Sequence, residues 1–133
     1  PARTSSGWPA PDPASLARVY PFEPRIVGGY PPDQAAAALA PILPRVEVCW
    51  QRASASDPAL QGYLFLDALL RADGSIISTS VYGDIPDAVL LACLNTAIED
   101  WEFSAFGAPQ AEVSFPLAVL VEAPPAPPGN RRR

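Results

Sequence analysis

Proline placement constrains this chain more than any other feature. Of its 18 prolines, Pro1, Pro9, Pro11, Pro13, Pro21, Pro24, Pro31 and Pro32 crowd the start, and Pro124, Pro125, Pro127 and Pro128 crowd the finish. A proline fixes φ and donates no backbone hydrogen bond, so both ends are expected to be extended or wrapping segments. The packed body is left to residues 33–121, with 1–32 as a Pro-rich arm and 122–133 as a Pro/Arg-rich tail. A body of that size makes one domain. Within the arm, "VYPFEPRIVGGYPP" is apolar enough to lie on the domain surface, with Tyr20, Phe22, Ile26 and Tyr30 as anchors.

Inside the body the periodicities alternate between helix and strand. Asp33 precedes "QAAAALA" and is placed to cap a helix start, which Pro41 and Pro44 then disturb. The helix resumes through "RVEVCWQRASA", where Ile42, Val46, Cys49, Trp50 and Ala53 form one apolar stripe. Next comes a hairpin, "GYLFLDALLRADGSIISTSVY". Leu64, Leu66, Ala68 and Leu70 give an apolar face, Tyr63, Phe65, Asp67 and Leu69 a mixed one, and Asp73-Gly74 the turn. A second helix follows, capped by Asp84 or Asp87, with Val89, Cys93, Ala97 and Trp101 in line and Leu90, Leu94 and Ile98 beside them. "AEVSFPLAVLVE" closes the body as a strand. The predicted fold is α+β in the order α-β-β-α-β, two helices packed on one face of a three-stranded antiparallel sheet.

Composition removes several functions. There is no His and no Lys, so the commonest general base and metal ligand are missing and no base activates Ser75, Ser78 or Ser80. A net charge of −5 argues against a nucleic-acid partner. No apolar run approaches the roughly 18 residues of a membrane span. Glu99 and Glu102, one helical turn apart, read as a solvated face rather than an acid/base pair, and Trp50 and Trp101 as core. No catalytic, metal or cofactor site is expected, and the chain is read as a non-enzyme. Arg131, Arg132 and Arg133 are candidates for peripheral contact with acidic lipid, or else a solvated tail.

Cys49 and Cys93 both fall on apolar helical faces. If the two helices lie side by side, a disulfide between them is geometrically reasonable; the alternative is two buried free thiols. An even pair in a Pro-rich chain favours the bridge and an oxidising compartment. With no C-x-x-C and no basic neighbour, neither thiol reads as a redox catalyst.

Five pieces in order resemble a known family: "CW" at 49–50, "DPALQG" at 57–62, "ADGSI" at 72–76, "IPDAVLLACLNTAIEDWEF" at 85–103 and "VSFPLAV" at 113–119. Together they are similar to the TonB C-terminal-like domain, AgmX/PglI type, over about residues 42–121. Trp50 stands where that family usually has Tyr, and Ser104 where it tends to have Pro. The resemblance implies a TonB-like α+β fold, a periplasmic or otherwise extracytoplasmic location in the cell envelope, and a non-enzymatic role in binding a protein partner. The surface expected to carry that role is an exposed edge at the last strand, through Val113, Phe115, Leu117, Val119 and Val121, with Tyr20 and Phe22 of the arm. Capping of that edge by "VYPFEPRIV", or self-association through it, is the competing reading. A second functional reading makes the chain a small accessory subunit whose Pro-rich arms wrap its neighbours in a membrane-associated assembly.

Overall fold

The structure, a computed structural model, describes residues 7–122. Its centre is the expected hairpin, β3 (Gly62–Arg71) and β4 (Ile76–Gly83). Leu64, Leu66, Ala68 and Leu70 are all buried on one face, as the alternation requires. At the turn Gly74 takes φ +88° and donates its N–H to the Arg71 carbonyl at 2.9 Å. Asp73 accepts from the Ser75 hydroxyl at 2.6 Å and from the Ser75 N–H at 2.9 Å, and these bonds hold its carboxyl below the usual range. Gly74 is buried, and a Cβ there would strike the carbonyl of Phe103, so the turn packs against the segment that follows the last helix.

Among the described residues there are three helices, α1 (Pro32–Leu39), α2 (Leu43–Ser56) and α3 (Ala88–Ala97), one more than expected. Pro41 separates α1 from α2, whereas Pro44 sits in the first turn of α2, where a missing N–H costs nothing. Asp33 is not a cap: Pro31 holds that position, and Asp33 lies in the first turn with its charge at the positive end of the helix. Asp87 caps α3 by accepting from the Leu90 N–H at 3.0 Å, while Asp84 accepts from the Tyr63 N–H at 2.8 Å. The buried line of α3 runs through Leu90, Leu94 and Ala97. Val89, expected on it, is 80 % exposed.

Among the described residues the sheet has five strands where three were expected. β5 (Gln110–Val121) lies between β3 on one side and, on the other, two strands from the stretch read as an irregular arm, β1 (Ala17–Pro21) and β2 (Arg25–Val27). The order is β1-β5-β3-β4, with β2 also beside β5, and every pairing is antiparallel. Pro116 is the reason one outer strand becomes two. Phe22 donates its N–H to the Pro116 carbonyl at 3.0 Å, and Pro116 has no N–H to return. Pairing stops at Pro21↔Leu117 and resumes at Arg25↔Ser114, one residue out of the earlier register.

The core fills the space between helices and sheet. Trp50 is fully buried and its indole N–H donates to the Leu120 carbonyl at 2.9 Å, pinning α2 to the end of β5. Trp101 packs on Phe103 and Phe115, with ring centroids 4.8 and 5.4 Å apart, and both tryptophans are core residues as read. Tyr30, 2 % exposed, meets Phe103 and Phe106 edge-on, so the sheet and core both extend into residues before 33.

Candidate partner-binding surface

The two cysteines meet. Cys49 of α2 and Cys93 of α3, 44 positions apart in sequence, form a disulfide with Cα atoms 5.7 Å apart. Closing a loop of that length is worth roughly 4 kcal/mol in the chain-entropy account. Beside it lies a recess of about 310 Å³ between the two helices, rimmed by Arg52, Asp87 and Val89.

The expected binding edge is not an edge. β5 is central, with both rows of its backbone groups facing neighbouring strands. Val113, Phe115, Leu117 and Val119 point into the core at 0–1 % exposure, and Val121 is half-buried. The competing reading holds here: the "VYPFEPRIV" segment covers that side of β5 as β1 and β2. Tyr20 and Phe22, by contrast, stand 43 % and 50 % exposed.

Those two residues belong to a larger feature on the sheet face away from the helices. Registers across the strands set Tyr82, Phe65, Pro116 and Phe22 in one row, and Tyr63, Ala118 and Tyr20 in the next. Phe65 and Tyr82 stack with centroids 5.1 Å apart and planes at 13°; Phe22 and Tyr63 meet at 6.2 Å. An aromatic band thus crosses the open face. Its polar rim is fixed by hydrogen bonds. Asp67 accepts from the Tyr82 hydroxyl at 3.0 Å and from Ser114 at 2.6 Å, and the bond to Asp67 raises the Tyr82 pKa. Glu122 accepts from Tyr20, raising its pKa, and pairs with Arg18 at 3.2 Å. The mixed face of the hairpin, Tyr63-x-Phe65-x-Asp67, was the sequence signal for this band.

Among the described residues the sheet's available edge is β4. Asp84 donates its N–H to the Tyr63 carbonyl at 3.2 Å, which fixes the phase of the ladder. Alternation then makes Phe65–Tyr82, Asp67–Ser80 and Leu69–Ser78 the bonded pairs and turns the N–H and C=O of Thr79 and Val81 away from β3. Ser78, Thr79 and Ser80 are exposed, and β4 contains no charge and no proline. The opposite side of the sheet is protected in the usual ways: its outer strand is broken, and it carries Pro21, Pro24, Arg18 and Arg25.

All fourteen acidic residues but only five of the nine arginines lie within residues 7–122, a formal charge of −9 on the described body. Among these residues no group of three or more His, Cys, Asp or Glu side chains is placed to hold a metal ion, and no helix is long and apolar enough to cross a membrane. Glu99 and Glu102 are exposed. Arg131, Arg132 and Arg133, the candidates for lipid contact, lie outside the described residues. No protein-family model, curated protein or solved structure matches the chain.

Proposed function

We propose that this chain is a non-enzymatic interaction module of the cell envelope that binds a protein partner by receiving one of its extended segments along β4. The observation that carries the reading is that edge: exposed, uncharged, free of proline, with the backbone groups of Thr79 and Val81 directed outward. Natural sheets seldom leave such an edge unguarded unless it is used. The disulfide is consistent with an extracytoplasmic location, and the periplasm is the compartment proposed. The order α2-β3-β4-α3-β5, with cysteines in both helices, supports kinship with the TonB C-terminal-like AgmX/PglI type.

The accessory-subunit reading gains less. It needs arms free to wrap neighbours, and the described part of the first arm is occupied with its own body. Gln51 exchanges hydrogen bonds with Asp12 at 2.9 and 3.1 Å, Tyr30 is buried, and β1 and β2 lie in the sheet.

The test is affinity capture from envelope extract with the full chain and with Thr79→Pro. That substitution removes an outward N–H and leaves the bonds to β3 in place. The captured protein should be lost with Thr79→Pro while circular dichroism and melting stay near wild type. Equal capture by both would defeat the edge reading, and turnover of a small molecule by the chain alone would defeat the non-enzymatic one.

A further inference from the structure

We infer that the segment received at β4 is arginine-bearing, an extended strand whose open-face side chains are guanidinium groups. The inference rests on the strand-addition reading above and adds to it the chemistry of the partner.

β4 supplies the position. A strand added there runs about 4.8 Å from β4, and its side chains alternate between the helix side and the open face. On the open face its nearest neighbours are Ser78, Ser80 and Tyr82, which are exposed and uncharged. Tyr82 stacks on Phe65 through one ring face, toward β3. Its other face turns toward the place of the incoming strand, and the residue is 47 % exposed. A bare ring face at that spot attracts a cation through its quadrupole, and a planar guanidinium stacks there better than an ammonium.

Charge points the same way. The carboxylates around this edge are Asp67, opposite Ser80 on the next strand in, Asp84 at the end of β4 and Asp73 at its hairpin turn. Arg71 is the cation on this side of the hairpin, and its guanidinium is turned to the Ser75 hydroxyl at 3.4 Å. Asp67 stands one strand deeper than Ser80, so only a long side chain on an added strand spans to it. The Tyr82 and Ser114 hydroxyls hold that carboxylate in place, each using one of its oxygens and leaving further lone pairs for a guanidinium. The chain's net charge of −5 disfavours a second copy of itself and nucleic acid, and steers a cationic segment in.

The probes are labelled peptides of about nine residues, strand-length. They alternate Val or Thr with Arg, with Gln, or with Glu; a fourth keeps the Arg positions but carries Pro at alternate sites. Binding to the full chain is read by anisotropy near physiological salt, and amide exchange is followed at Thr79 and Val81. The Arg peptide should bind about tenfold or more tighter than the Gln peptide. It should also slow exchange at both amides, weaken with salt, and lose part of its advantage against Asp67→Asn. The Glu peptide should not bind. Equal affinity and protection from the Gln peptide overturn the arginine inference and leave strand addition standing. If no peptide protects Thr79 and Val81, strand addition itself fails. Undiminished binding of the Pro-containing peptide would show charge attraction without an added strand. A dimer of the chain with those amides already protected would assign the edge to a second copy. Either result overturns the inference.

Discussion

The indole N–H of Trp101 donates to the carbonyl of Ala38 across 2.9 Å and 63 positions of sequence. Ala38 lies in the last turn of α1, where carbonyls have no partner within the helix. Neighbouring carbonyls are met locally, Ala36 by the Ala40 N–H and Leu39 by the Ile42 N–H, but Ala38 depends on a residue beyond α3. Trp101→Phe keeps an aromatic ring against Phe103 and Phe115 but removes the donor and part of the bicyclic ring. It should cost about 2–4 kcal/mol, from a buried carbonyl left unpaired and from the space the smaller ring leaves. Urea unfolding would read this, and a loss of only a few tenths would mean that water reaches Ala38.

Reduction removes the covalent link between α2 and α3. Breaking Cys49–Cys93 should lower unfolding free energy by about 2–5 kcal/mol, a large share of what a domain this size possesses. The guanidinium midpoint of the wild type in reductant should match that of the Cys49→Ser/Cys93→Ser double variant without it. If reductant leaves the midpoint unmoved, the bridge contributes nothing.

Arg45 links α2 to the segment after α3, donating to the Ala97 carbonyl at 2.9 Å and pairing with Asp100. The hydrogen bond from Arg45 holds the Asp100 carboxyl below its ordinary 3.8. A depressed folded value means the pair stabilises above the unfolded pKa and loses that contribution as pH falls through the folded one. Asp100 is 65 % exposed at its side chain, so solvent screening keeps the effect under about 1 kcal/mol. The stability gap between wild type and Asp100→Asn should therefore be flat from neutral pH down to about 5 and close below about 4. A gap that stays constant into strong acid would show that the pair does not titrate.

Two glycines offer a matched comparison. Gly74→Ala places a Cβ against the Phe103 carbonyl at φ +88° and should cost about 2 kcal/mol or more. Gly107→Ala meets nothing within 4 Å and should be close to neutral. Similar melting temperatures for the two would contradict the packing of the hairpin turn on residues 103–104.

The hairpin was legible because every determinant is local: alternation along β3, a turn pair at Asp73-Gly74, β-branched residues beyond it. α2 and the disulfide were legible for the same reason, through stripes at helical spacing. β1 and β2 were not. They are five and three residues long, separated by Phe22, Glu23 and Pro24, and they become strands by pairing with residues about a hundred positions later. Missing them moved β5 from the centre of the sheet to its rim and carried the predicted edge with it. The aromatic band was half visible. Tyr63 and Phe65 stood on the hairpin's mixed face and Tyr82 on its second strand, but Phe22 reaches them only through a long-range pairing that no local pattern encodes.

Leu16 and Glu122 are hydrogen-bonded neighbours, with the Glu122 N–H on the Leu16 carbonyl at 2.8 Å, where β1 begins and β5 ends. Opposing tension applied through residues 16 and 122 would therefore peel this antiparallel pair apart one rung at a time, instead of shearing all its rungs together. Mechanically, the β1–β5 seam is a zipper with its tab at that corner. Under load from its flanks, the molecule would yield there at low force, while the rungs between β3 and β5 and the sulfur staple hold.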